Sequence, residues 1–358
     1  MTAETPYAIR PMEGHGAYNQ DSRVQAAGLR PVVALLVEAA RTVSLAPAPE
    51  AVVVADYGAS AGRNSILPIG VAIAELRRRL GPDRAINVVH TDLPDNDFSA
   101  LFATLAAEPD SYLTTDRAAF AFAIGRSYFG QIMPAGSVTL GWSSWAIQWL
   151  SRVPAQVPDQ LQAIYSRDAA AREATFRQAA ADWRTFLASR SRELKAGGRL
   201  VIVTMASDDK GDFGYAPLLD SMYAALKDLV ADGLISGQEF RGMIIPTVGR
   251  SKADFEAPFA GGGRFEGLSL NHLEIFPGED RIWAAFEANR DGGALGAGWA
   301  RFARGAVFPT LASALQGADA ARQARFYDRY EARIAVRLAK SPVKMAIPLA
   351  KMVVVKEG

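Results

Sequence analysis

Chemistry is most plainly on offer in the stretch Asp56-Tyr57-Gly58-Ala59-Ser60-Ala61-Gly62-Arg63-Asn64-Ser65, which follows the apolar run Ala51–Asp56. Small residues after a buried strand let a ligand approach the backbone at the carboxyl edge of a sheet. A P-loop needs GxxxxGK[ST]; here the glycines stand one residue too close and Arg63 occupies the Lys position. A dinucleotide fingerprint needs GxGxxG with its acid about 20 residues later. Here the middle glycine is missing and an acid already ends the strand. The remaining ligand is a nucleoside cofactor without pyrophosphate, of the S-adenosylmethionine type. Asp56 can meet its amino acid portion. Asp92, after the second strand candidate, can accept both ribose hydroxyls, because a carboxylate only accepts hydrogen bonds. Taken alone, these residues also allow a ligand-free turn, with Asp92 as a helix cap or turn former.

Other reactive groups are scarce. There are three His and no Cys, which excludes a disulfide framework, a thiolate zinc site, an iron–sulfur cluster and a cysteine nucleophile. His15, His90 and His272 show no metal-ligand spacing on one helix. His90 and His272 fall on strand candidates and read as structural, and His15 lies in the N-terminal arm. With 39 Lys+Arg against 38 Asp+Glu, no electrostatic footprint for nucleic acid or an anionic membrane is present. No apolar run reaches the ~20 residues of a membrane span. The N-terminal segment lacks a signal pattern, so a cytoplasmic location is the expectation.

The elements that must position the loop alternate between strand and helix. Ala51–Asp56, Ile86–His90, Ala119–Ile124, Ser137–Leu140 and Leu200–Thr204 read as strands, with helices over about Ser65–Leu80 and Asp168–Lys195. This pattern predicts an α/β fold with a βαβ sheet covered on both faces. From about Tyr215, helical segments (Pro217–Asp232, Trp299–Leu315, Ala321–Lys340) alternate with glycine-rich stretches, predicting a mainly helical cap over the open end of the sheet. Met352–Val355 reads as a late strand returning to it. The expected division is 1–210 for the cofactor domain with its N-terminal arm, 211–345 for the cap and 346–358 for the return strand.

Further segments carry a resemblance. Met12–Gln25 (MEGHGAYNQDSRVQ) looks like the glycine-rich arm of the SABATH methyltransferases, the family of the plant salicylate, benzoate and theobromine enzymes. ADYGASAGRNS is similar to that family's cofactor loop, and TDLPDNDFSALF to its specific DLPxNDFN signature. RSYFGQIMP parallels its GSFYxRLFP stretch, and WSSWAIQWLSRVP its HSSxSLxWLSxVP stretch. Order and spacing hold from residue 12 to about 155, and weaker similarity continues through AGGRLVIV, ADGLI and ARFARGAVFPTL. On these residues the chain is identified as a SABATH member, of bacterial type. The departures are an arm two residues short with Ala17 for Ser, Trp142 for His, and Tyr57 and Ala59 for Leu and Cys.

The resemblance implies a Rossmann-like class I methyltransferase sheet and S-adenosylmethionine as cofactor, with S-adenosylhomocysteine as product. It implies cofactor contacts from Tyr18, Ser22, Asp56, Gly58, Asn64, Asp92, Leu93, Ser127 and Tyr128. It implies that Gln25 and Trp149 hold the acceptor carboxylate, and that Trp145, Gln148, Leu218, Leu219, Ala303 and Ala306 tune acceptor choice. Relatives are commonly homodimers, so a homodimer is expected. No metal is assigned, although Asp209 and Asp212 are conceivable contacts.

Physical chemistry agrees with an acid acceptor. The Gln25 amide and the Trp149 indole N–H are uncharged donors that suit a carboxylate. An acid of pKa about 4 arrives ionised, so methyl transfer to it needs no general base. The expected reaction is therefore conversion of a small, largely apolar and aromatic carboxylic acid to its methyl ester. N-methylation of a xanthine-like heterocycle, or cofactor binding without turnover, are the alternatives. Helical spacing would place Trp142, Trp145, Gln148 and Trp149 on one face, where a Trp stripe could equally be core. Gln148 stands where salicylate-type relatives have Met, which predicts a second polar group on the acceptor within its reach.

Overall fold

The computed structural model describes residues 10–12 and 30–358. Its strands are β1 (Val52–Tyr57), β2 (Ile86–Asp92), β3 (Ala119–Gly125), β4 (Val138–Ser144), β5 (Leu194–Met205), β6 (Arg264–Phe265), β7 (Leu268–Pro277) and β8 (Pro348–Lys356). They form one sheet in the order β3-β2-β1-β4-β5-β8-β7-β6. The pairs among β1 to β5 are parallel, whereas β8 runs antiparallel between β5 and β7. Chain order reverses between β1 and β4, the topological switch point where such sheets bind ligands.

Helices cover both faces. α1 (Arg30–Thr42), α2 (Arg63–Leu80), α3 (Phe98–Ala107) and the short α4 (Tyr112–Thr115) contribute to one core, and the long α5 (Ala169–Glu193) to the other. β1 serves both, as strand alternation requires: Val52 and Val54 pack toward the first, Ala55 and Tyr57 toward the second. After α6 (Ala216–Ala231), the short α7 (Gly237–Gly242) and α8 (Lys252–Glu256) lead into β6 and β7. α9 (Arg281–Asn289), α10 (Gly292–Ala312) and α11 (Ala320–Lys340) follow. α6, α10 and α11 build a third core that joins the sheet through Met205 and Leu349. No described helix is long and apolar enough to cross a membrane.

Three local outcomes differ from the pattern-based reading. The expected cap segment is interrupted by β6 and β7, which extend the sheet. α10 starts at Gly292, well before Trp299, because its glycines serve helix packing. A Cβ on Gly296 would stand 2.2 Å from the carbonyl oxygen of Ala335 on α11. The helical face through Trp142, Trp145, Gln148 and Trp149 does not form. β4 runs on to Ser144, so Trp142 is a fully buried strand residue packed toward α1 and α2. The chain then turns at Trp145, whose φ of 53° is left-handed, and Trp149 pairs in an isolated antiparallel bridge with Thr247.

Candidate active site

The cofactor loop is built by its neighbours. Gly58 has φ 92°, and a Cβ there would stand 2.4 Å from Cβ of Ala146, so only glycine fits this turn. The amides of Gly58 and Ala59 donate to the Thr91 carbonyl at 2.9 and 3.0 Å, which ties the loop to the end of β2. Asp92 takes the next two amides: Ser60 N–H donates to Oδ2 at 2.7 Å and Leu93 N–H to Oδ1 at 2.8 Å. The rest of the signature is scaffold. Asn96 Nδ2 donates to the Ser60 carbonyl at 3.0 Å, and Asp97 caps α3 by accepting from Ala100 N–H at 2.9 Å. Burial pushes the Asp92 carboxyl up to about 6; the two amides oppose this, and the charges of Asp56 and Asp95 add to it.

Beneath the loop lies a contact that pattern reading missed. Asp56, at the end of β1, is 1% exposed, and its Oδ2 lies 2.8 Å from His90 Nδ1. The other ring nitrogen of His90 lies 2.8 Å from the Tyr112 hydroxyl. The strand position of His90 pointed inward, but no local signal marked Tyr112 as its partner. Tyr57 does more than repack the loop: its hydroxyl donates to buried Glu193 at 2.7 Å, under the Arg190 guanidinium.

Two cavities open at this edge of the sheet. The outer, of about 380 Å³, is lined by Asp56, Gly58, Asn64, Asp92, Leu93, Ser127 and Tyr128. The Tyr128 hydroxyl donates to the Ala146 carbonyl at 2.8 Å, and burial raises its pKa. Ser127 Oγ accepts from Phe129 N–H at 3.4 Å. Arg10 reaches this cavity as well, paired with Asp95 at 3.0 Å. Tyr18, Ser22, Gln25 and His15 lie outside the described residues.

A narrower inner cavity, of about 60 Å³, is lined by Gln148, Leu218, Leu219, Ala303 and Ala306. Gln162, Met205, Tyr215, Met222, Ile245, Thr247, Phe302 and Val307 join them, and none of these had a local signal. Met12, Trp145 and Trp149 border both cavities and so stand where the two meet. Gln148 is committed to the protein: its Nε2 donates to the Trp145 carbonyl at 2.6 Å and its Oε1 accepts from Thr204 at 2.9 Å. It braces the left-handed turn. Asp212 is likewise engaged, accepting from Tyr165 Oη at 2.7 Å, and no described group of three His, Asp or Glu could hold a metal ion.

These residues fit a nucleoside sulfonium cofactor. The Asp92 carboxylate is oriented by two amides and keeps further lone pairs for a vicinal diol. The Gly58 turn, with its positive φ and no room for a Cβ beside Ala146, leaves bare backbone at the edge of the outer cavity. The family model described as SAM dependent carboxyl methyltransferase matches residues 9–355. The chain belongs to the SAM-dependent carboxyl methyltransferases.

Among relatives of this carboxyl methyltransferase, salicylate carboxymethyltransferase of Clarkia breweri is 27% identical over 250 residues, 67% of each chain. Indole-3-acetate O-methyltransferase 1 of Arabidopsis thaliana is 28% identical over 303 residues, 78% of each. The solved loganic acid methyltransferase with SAH shares the fold, with a TM-score of 0.77 at 20% identity over 97% of this chain and 99% of that one. The first two are plant proteins, fungal ones such as Methyltransferase LUC1 of Fusarium sp also match, and these lend the bacterial-type reading no support. The carboxyl methyltransferase uses S-adenosylmethionine, which supplies a methyl group on a sulfonium that leaves as a neutral thioether. An ionised acid attacks without losing a proton, so the scarcity of His and Cys costs the enzyme nothing. What the protein contributes is proximity, orientation and exclusion of water, effects worth roughly 7–11 kcal/mol.

Proposed function

We propose that the enzyme esterifies a small, largely apolar, aromatic carboxylic acid, with the acid in the inner cavity and its carboxylate directed to Trp149. The observation carrying this reading is that Trp145 and Trp149 border both cavities, so a carboxylate held there faces the cofactor side. The Trp149 indole N–H is an uncharged donor that orients one oxygen without protonating it. Gln25, by resemblance, is the second donor of this clamp. Leu218, Leu219, Ala303 and Ala306 give the apolar wall an aromatic ring requires. The new bond joins a carboxylate oxygen to the methyl carbon while the carbon–sulfur bond breaks and its electron pair stays on sulfur.

Release of S-adenosylhomocysteine against a panel of aromatic acids and purines tests this. Turnover with acids and none with xanthines is expected; turnover confined to xanthines, or cofactor binding with no turnover, would overturn it. We also propose that the carboxyl methyltransferase is a homodimer. Phe120 and Phe122 are exposed on edge strand β3, and sedimentation at dilute and high concentration checks the state.

A further inference from the structure

The side-chain carbonyl oxygen of Gln162, a residue of the inner cavity, is left unmatched by the described residues. Gln162, which begins the 3-10 turn Ala163–Tyr165, is 5% exposed and lines the cavity. Its Nε2 donates to Thr247 Oγ1 at 2.5 Å, while Oε1 has no hydrogen-bond partner among the described residues. The contrast with Gln148 is instructive, because both polar atoms of that amide are taken up inside the wall. Gln162 is also held in place. Leu161 accepts from Ile245 N–H at 2.8 Å, and Tyr165 N–H donates to the Gln162 carbonyl at 3.2 Å. Its anchor Thr247 is the bridge partner of Trp149. Gln162 therefore lines the same chamber as the indole to which the carboxylate is directed, with its carbonyl oxygen unpaired in the wall. Around it Leu218, Met222 and Phe302 offer no hydrogen bond.

A buried carbonyl oxygen that the protein does not pair favours a ligand that brings it a donor, and it disfavours an isostere that cannot. We propose that Gln162 is a specificity-determining residue that selects acids carrying a hydrogen-bond donor, a phenolic hydroxyl or a ring N–H, in addition to the carboxylate. This places the second polar contact at Gln162 rather than Gln148. It rests on the reading that the acid occupies the inner cavity.

Binding to the protein saturated with S-adenosylhomocysteine separates the two claims. The probes are the three hydroxybenzoates and three hydroxyphenylacetates, each against its fluoro counterpart, since fluorine is small and donates nothing. Calorimetry is expected to show at least one hydroxylated acid bound about tenfold or more tightly than its fluoro partner. In Gln162→Leu that ratio falls to within about twofold with the fluoro acid's affinity kept. Gln162→Met serves the same end if the leucine variant melts early. A ratio unchanged by either variant overturns the role of Gln162 and leaves carboxyl methylation standing. A Gln162-dependent preference for the fluoro acids means that the amide presents its nitrogen, and overturns donor selection. No acid binding at all overturns the inference together with the reading beneath it.

Discussion

Asp56 and His90 are register partners on the parallel strands β1 and β2, and their side chains meet 2.8 Å apart in the interior of the sheet. The pair places a carboxylate directly beneath the cofactor loop, and Tyr112 steadies the far side of the imidazole. His90 lines neither cavity, whereas Asp56 lines the outer one, so any influence of the imidazole on that cavity passes through Asp56.

His90→Leu removes the hydrogen bond from the imidazole to the buried Asp56 carboxylate, a change that costs about 1.5–3 kcal/mol. Denaturant melts should show that loss, and calorimetry should show weaker S-adenosylhomocysteine binding. Tyr112→Phe removes only the distal hydrogen bond, costs about 1 kcal/mol, and should leave cofactor affinity within about threefold. Equal cofactor affinity in wild type and His90→Leu would show that Asp56 does not depend on the imidazole.

Asp92 sets a pH dependence. By our proposal its ionised form accepts the ribose hydroxyls, and its carboxyl is pushed up to about 6 by burial. Cofactor affinity should therefore be constant above that pH and fall about tenfold per unit below it. The folded apo protein holds this proton more tightly than the unfolded chain does. The contribution of Asp92 to apo stability consequently improves as pH falls through about 6. Titrations at pH 5 and 7.5 check the first statement, and an affinity flat across that range contradicts it. Asp92→Ala should abolish binding at either pH.

Trp149→Phe keeps an aromatic wall and removes only the indole N–H. KM for the acid should rise about tenfold, the loss expected for one hydrogen bond to a charged group, while the S-adenosylhomocysteine Kd stays within about twofold. The reverse pattern would assign Trp149 to the cofactor.

Gln148→Met should leave the preference between hydroxylated and unsubstituted acids unchanged, because the amide is bonded to Trp145 and Thr204. The substitution takes the acceptor away from the buried Thr204 hydroxyl, at a cost of about 1–3 kcal/mol. A thermal melt alongside the acid panel reads both effects.

By itself the sequence determined what is written in consecutive residues. The loop after β1, the Asp92 signature and the return strand are contiguous, and their chemistry follows from residue type and local spacing. The cofactor class was legible there for that reason, and so were the strands and helices that hold it. The tertiary structure decided which distant groups meet. The period of 3.6 suggested a helix from Trp142 to Trp149, but pairing of β4 with β5 carried the strand to Ser144 and sent Trp142 into the core. His90 found Tyr112, and Gln148 found Thr204. Gln162 found Thr247 across 85 residues, and its carbonyl oxygen was left unpaired in the wall of the cavity. Whether a polar side chain braces the wall or faces a ligand depends on which partner satisfies it, and that partner is brought close only by folding.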